Sequence, residues 1–298
     1  MFKSFCHCMK KRWQVYALIA PFLILFTIMT VLPVASSIVL SFFNYDMVSM
    51  TTFSGIGNYF RMFLRDSVFI TVLKNTILLA VITGPVGFLL SFVLAWLINE
   101  FRPFVRTLLT FMFYTPALIG NGLFIWSILF SSDSYGYINS ILLSLGLINS
   151  PIQWLSDSNY IVPIVVMVQL WQSMGVSFLA NISGLQNINP EIYEAGSVDG
   201  IKNRWQVLWY ITLPGMSHML LFSAVMQFAG SFSISAIITQ LAGYPTVGYV
   251  ADTIVSYLSD VGTVKYEMGY ASALSVVLFL LMIATRGITK KLLDKVGQ

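Results

Sequence analysis

A chain of 298 residues in which 57% are apolar and only 9% charged falls outside the composition of soluble globular domains and among polytopic membrane proteins. Its net charge of +4 does not mark a nucleic-acid-binding surface, because the basic residues follow a membrane pattern instead. Cys6 and Cys8, flanking His7, offer no disulfide framework and lack nearby third and fourth ligands, so reduced thiols and no metal site are expected.

The first residues, through about 15, read as a cytoplasmic tail carrying Lys3, Lys10, Lys11 and Arg12, with Trp13 and Tyr16 at the membrane edge. An apolar run over residues 17–43 follows, longer than the roughly 7–15 residues of a signal-peptide core. Pro33-Val34-Ala35-Ser36 could be a cleavage neighbourhood, but the apolar run continues past it, so an uncleaved first span is expected. Residues 72–98, 108–130, 161–185, 219–241 and 268–288 also approach the roughly 20 residues needed to cross a bilayer. The expected fold is therefore an all-α integral membrane protein with six transmembrane helices in a single domain, residues 1–298. The connecting segments 44–71, 131–160 and 242–267 are too polar to span, the last with room for a short membrane-dipping helix.

Basic residues set the orientation. A cytoplasmic N-terminus places Lys3, Lys10, Lys11, Arg12, Arg102, Arg106, Lys202, Arg204, Arg286, Lys290, Lys291 and Lys295 inside. Only Arg61, Arg65, Lys74 and Lys265 fall outside, which satisfies the positive-inside rule and puts both termini in the cytoplasm.

Charge is absent from the central spans; Lys74, at an outer end, can snorkel. The polar residues there are Gln169, Trp171 and Gln172 in the fourth span and Gln227, Ser231, Ser233 and Ser235 in the fifth. Amides, hydroxyls and aromatic faces suit an uncharged polyol, so these residues are candidates for a substrate pathway. Helix–helix packing is the competing reading for each of them. Gly84-Pro85 and Gly87, and Pro116, Gly120 and Gly122, mark kinks or close packing.

The polar stretch 189–215 is patterned as structure. Asn189 can cap a helix, Pro190 suits its first position, and Glu191 and Glu194 lie in its first turn. Ile192, Ala195 and Val198 recur at helical spacing before Gly200 breaks the run. A second amphipathic piece sets Ile201, Trp205, Leu208 and Trp209 against Lys202, Asn203, Arg204 and Gln206, and Pro214 opens the next apolar segment.

Glu194-Ala195, Asp199-Gly200, and then Ile211, Leu213 and Pro214 resemble the EAA loop of ATP-binding-cassette importer permeases. Gly196, Ile201 and Trp205 depart from that pattern but keep small or apolar character. The resemblance extends beyond the loop: Gly55-Ile56-Gly57-Asn58-Tyr59-Phe60, Asn75-Thr76, Pro116-Ala117, Trp126, Gly136-Tyr137-Ile138-Asn139, Gly146-Leu147-Ile148 and Gly269-Tyr270-Ala271-Ser272-Ala273 are similar to the sugar branch. Ala242-Gly243-Tyr244-Pro245 departs from that branch in an outer loop, and the ending Lys290-Lys291-Leu292-Leu293-Asp294-Lys295 resembles the first of its two permease types. The resemblance implies a type I importer permease in a prokaryotic cell membrane. Its partners would be a second permease, two ATPase subunits that bind ATP and Mg, an extracytoplasmic solute-binding protein and a carbohydrate. Glu194, Ala195, Gly196, Asp199, Gly200, Leu213 and Pro214 would form the coupling loop, and the chain itself would hold no cofactor.

No G-x-x-x-x-G-K-[ST] loop occurs, so ATP hydrolysis must come from elsewhere. A self-sufficient carrier or channel would call for an intramembrane ionisable residue or paired broken helices. A membrane enzyme would need clustered His, Asp or Cys, whereas His218 is the only histidine beyond the tail and reads as an interfacial residue.

Overall fold

The computed structural model describes residues 13–48, 51–119 and 122–293. The tail containing Cys6, His7 and Cys8, and also Gly120, Asp294 and Lys295, lie outside them. The described chain is mostly helical, and its contacts divide it into two units. One comprises residues up to Arg65 with Leu258–Val277, the other Asp66–Tyr257 with the residues from Leu278 onward.

In the first unit, α1 (Trp13–Phe26) passes through a π-helical turn, Thr27–Val31, into α2 (Leu32–Leu40). Pro33 therefore sits inside a continuing helix. A proline ring crowds the carbonyl four residues back, and a widened turn immediately before it relieves that crowding. None of the Ala17–Leu40 span is buried. Beyond it, β1 (Phe43–Asn44) pairs antiparallel with β2 (Thr52–Phe53), Phe43 facing Phe53. In α3 (Gly57–Leu64) the buried Asn58 amide donates to the carbonyls of Ser41 and Phe43 at 2.9 and 3.0 Å. Gly269 donates its backbone N–H to the Tyr45 carbonyl at 3.0 Å, and any Cβ there would lie well inside contact with the Phe43 carbonyl. Arg61 pairs with Glu267 at 2.7 Å and lies 4.3 Å over the Tyr270 ring. The Gly55–Phe60 and Gly269–Ala273 motifs are thus two halves of one clip.

In the second unit, α4 (Ser67–Asn99) is capped by Asp66, whose side chain accepts the Phe69 N–H. Pro85 does not interrupt it. After it come α5 (Pro103–Leu118) and α6 (Leu123–Leu129), bent by 83°, then α7 (Tyr137–Ser144), α8 (Ser158–Gln172) and α9 (Val176–Gln186). Next are α10 (Pro190–Val198), α11 (Arg204–Val207), a π turn (Leu208–Thr212), α12 (Leu213–Gly215), α13 (Ser217–Ser231) and α14 (Ser235–Ala242). Finally come α15 (Ile254–Ser259), another π turn at Asp260–Val264 and α16 (Met268–Leu293), of which residues 258–277 belong to the first unit. The short apolar helix Ile254–Val264 falls in the segment with room for one.

Leu79 of α4 joins one apolar core with Leu123, Ile161, Val165, Ile234 and Ile238, while Phe92, Ala95 and Ile98 join a second with Phe178, Leu208, Ile211 and Leu220. α4 is the axis both cores share. Loop motifs act as staples on this frame. Asn75 donates to the carbonyls of Tyr249 and Asp252, and Thr76 accepts the Ile254 N–H at 2.9 Å. Asn139, fully buried, donates to the carbonyls of Ser131, Asp133 and Ile152 and accepts from Ile152 N and Trp154 Nε1.

Among the described residues four helices are long and apolar enough to cross a membrane, and six if each of two bent pairs counts as one span. The expected fourth span is interrupted at Ser173–Gly175 between α8 and α9 but still counts as one span, Ser158–Gln186. The expected fifth stops at Ser231 rather than running to residue 241. There Phe232 N bonds Ala229 O and Ser233 N bonds Gly230 O, the tight three-residue spacing that ends an α-helix.

Candidate functional site

The stretch 189–215 folds on its own capping chemistry. Asn189 Oδ1 accepts the Glu191 N–H at 3.1 Å and Pro190 occupies the first turn of α10. At the other end Gly200 adopts φ +92°. Ile201 N donates to Gly196 O at 2.9 Å and Gly200 N to Ser197 O at 3.4 Å. This is a glycine-stopped helix end whose two crossed bonds satisfy orphan carbonyls. Asp199 is the C-cap residue, so its carboxylate stands exposed at the turn.

Only Gly196 of α10 is buried. A Cβ built there would come 2.5 Å from Ile211 Cδ1 and 3.4 Å from Ile201 Cδ1, so the glycine lets α10 sit directly on the following helix. Tyr193 supports the same side, its hydroxyl 3.4 Å from Thr212 Oγ1. The opposite face is exposed: Glu191, Ile192, Glu194, Ala195 and Val198. Val198 is 86% exposed. An apolar strip edged by carboxylates, on a helix fixed from behind, is a surface shaped for a partner.

α11 opens with a reciprocal cap in which Asn203 Oδ1 accepts from Trp205 N while Gln206 Oε1 accepts from the Lys202 and Asn203 N–H groups. Arg204 pairs with Glu100 just past the end of α4 and lies 5.5 Å over the Trp96 ring. Trp205 packs on Trp96 with ring centroids 5.6 Å apart. Glu100 and Trp96 anchor the loop but carried no distinct signal, because their partners are remote in sequence; Ile211 stood in the motif, but its contact with Gly196 did not show. The expected single apolar side is split: Leu208 is buried, whereas Trp205, Trp209 and Tyr210 are mostly exposed. The cause is the π turn Leu208–Thr212, whose extra residue rotates the helix beyond it. It again stands immediately before a Leu-Pro pair, so Pro214 rides inside the helix and the chain turns by 81° at Met216, between Arg204–Gly215 and Ser217–Ser231. Leu213 is partly buried against the second core, and Pro214 is exposed.

The candidate pathway residues separate. Gln227 is buried in a polar seam between α4, α9 and α13. Ser177 Oγ lies 3.2 Å from both Gln227 Oε1 and Ser91 Oγ, with one hydroxyl hydrogen to share between them, Asn181 Nδ2 donates to Ser91 Oγ, and Ser223 Oγ donates to the Ser177 carbonyl. Gly87 makes room for Gln227, and Gly84 for the Phe228 ring, so these glycines serve close packing. Ser231 donates to the Phe228 carbonyl in its own helix. Gln169 is buried, and Trp171 meets Trp126 edge-on at 5.4 Å. Gln172 is half-buried and Ser233 exposed. Among the described residues no three His, Cys, Asp or Glu cluster as metal ligands.

Residues 86–297 match the family described as binding-protein-dependent transport system inner membrane component. The chain is 31% identical over 273 residues to the probable ABC transporter permease protein YesP of Bacillus subtilis, covering 90% of this chain and 86% of that one. Identity is also 31% with the arabinooligosaccharides transport system permease protein AraP of Halalkalibacterium halodurans, over 90% of this chain and 83% of the relative. Both relatives are transport subunits rather than enzymes. The fold is shared with a chain in the crystal structure of a bacterial alginate ABC transporter in complex with an alginate pentasaccharide-bound periplasmic protein. The TM-score is 0.80 at 23% identity, covering 98% of each chain.

Proposed function

The chain belongs to the inner-membrane components of binding-protein-dependent transport systems, and from that membership we propose that it is the first-type permease subunit of an ATP-driven carbohydrate importer. The observation that carries the coupling is α10, seated on Ile211 through Gly196 with its Ile192, Ala195 and Val198 strip facing out between Glu194 and Asp199. In this reading the strip docks in a nucleotide-binding subunit, Ala195 allows close approach, and Glu194 and Asp199 supply charged contacts. Two such ATPase subunits bind ATP and Mg and drive rigid-body rocking of the spans. The chain crosses a prokaryotic cell membrane six times with both termini in the cytoplasm, each bent pair counting as one span. The unburied Ala17–Leu40 span favours a second permease packed against it. An extracytoplasmic solute-binding protein delivers the sugar, a class supported by the name of the AraP relative.

Co-purification tests the assembly directly: the full complex contains two permeases and two ATPase chains, and in proteoliposomes it imports sugar only with ATP and the binding protein. Transport by this chain alone at full rate without nucleotide overturns the reading. Substrate contact is tested by Gln172→Ala and Gln169→Ala, which raise the apparent KM for solute roughly 3- to 30-fold if each removes one hydrogen bond of about 0.5–2 kcal/mol. Unchanged affinity, specificity and rate assign both to packing. Gln227→Leu instead lowers thermal stability, since it strips a buried partner from Ser177.

A further inference from the structure

α13 and α16 present matching faces to a groove that no part of the described chain fills. Val225, Phe228, Ala229 and Phe232 recur at helical spacing on α13, and Phe279, Met282, Ile283 and Arg286 do so on α16, around a cavity of about 180 Å³. Each row covers eight residues, so the groove runs about 10 Å along the helices. Its walls are almost wholly apolar until Arg286. One turn further along α16, Lys290 stands exposed, and residues four apart on a helix share a face. Neither cation has a carboxylate partner among the described residues. The groove is therefore oily along its length and doubly basic at one end, and that end lies within about 10 Å of the described end of α16, at headgroup depth for long side chains.

We propose that this groove binds an anionic phospholipid, one acyl chain lying between Phe228 and Met282 and the phosphate held by Arg286 and Lys290. Guanidinium pairs with phosphate through two parallel hydrogen bonds, and basic clefts between membrane helices select anionic headgroups. Phe228 is held by its packing on Gly84 of α4, so one wall is preformed. A zwitterionic lipid offers its phosphate only together with an ammonium that opposes both cations, and a second apolar helix would bury them unpaired.

The test uses the full complex in nanodiscs of phosphatidylethanolamine with or without phosphatidylglycerol, with lipids retained after detergent washing measured by mass spectrometry. Wild type retains phosphatidylglycerol over phosphatidylethanolamine, and the double variant Arg286→Gln/Lys290→Gln reduces that retention about tenfold. Met282→Trp, which fills the groove and leaves the charges, reduces it as well and serves if the double variant does not assemble. Equal retention in the charge variant overturns the proposal. So does full retention in Met282→Trp, which would mean surface charge alone, and so does a photo-crosslinker at Ile283 that captures a protein segment rather than lipid.

Discussion

A complex carrying Glu194→Lys is expected to hydrolyse ATP yet import solute at about a hundredth of the wild-type rate. Glu194 is exposed on α10, and its carboxylate makes no ion pair among the described residues, so its reversal is expected to leave folding and insertion intact. If α10 docks on an ATPase subunit as proposed, the charge reversal there costs enough to lower coupling by roughly two orders of magnitude. Gly200→Pro reaches the same end by geometry. Proline is restricted to φ near −65°, whereas the turn needs +92°, and the Gly200 N–H bond to Ser197 O disappears with the substitution. Gly200→Ala, which meets no steric obstacle and only a modest conformational penalty of about 1 kcal/mol, is expected to be mild. Parallel measurement of uptake and ATP hydrolysis in proteoliposomes decides it; wild-type uptake in both Glu194→Lys and Gly200→Pro refutes the coupling role.

Gly269→Val is expected to cause the largest loss of stability, about 3 kcal/mol. The obstacles to a Cβ at Gly269 are backbone atoms, the Phe43 carbonyl and the Tyr45 nitrogen. Such atoms cannot rotate aside as a side-chain tip can. The clip formed by β1, α3 and the start of α16 must open, and the Gly269–Tyr45 hydrogen bond breaks with it. Gly262→Ala is the matched control, because its Cβ would meet only side-chain atoms, the Ala271 methyl at 3.3 Å and Met268 Sδ at 3.8 Å. Heating the purified complex and assaying the surviving fraction separates the two variants. Equal survival contradicts the clip.

These contrasts show what was legible in the residues. Local signals were read at their true places: the Asn189 cap, Pro190 in the first turn and Gly200 at the stop depend only on neighbours in sequence. The long apolar helices 17–40, 67–99 and 268–291 followed from apolar length, which the bilayer sets independently of packing. The bend at Met216 was not legible, because Pro214 reads as a boundary unless the π turn ahead of it is known. The end of α13 was hidden for a similar reason: residues 219–241 are uniformly apolar enough that hydropathy cannot see a switch in hydrogen-bond spacing at Phe232. Gly196 was visible only as a departure from a motif, and its purpose emerges from Ile211 lying against it. The polar seam was half legible. Gln227 was singled out for its chemistry, but Ser91, Ser177 and Asn181, which surround it, are ordinary small residues until three helices bring them together.

The right-angled turn at Met216 has a mechanical corollary. The arm from Arg204 to Gly215 holds twelve residues, about 18 Å at helical rise, and it meets α13 at 81°. A displacement on the order of 3 Å at the far tip of such an arm rotates a stiff corner by roughly 10°, the scale of known subunit rotations. If the loop transmits force as proposed, the length of the arm, more than its composition, sets how small a stroke suffices.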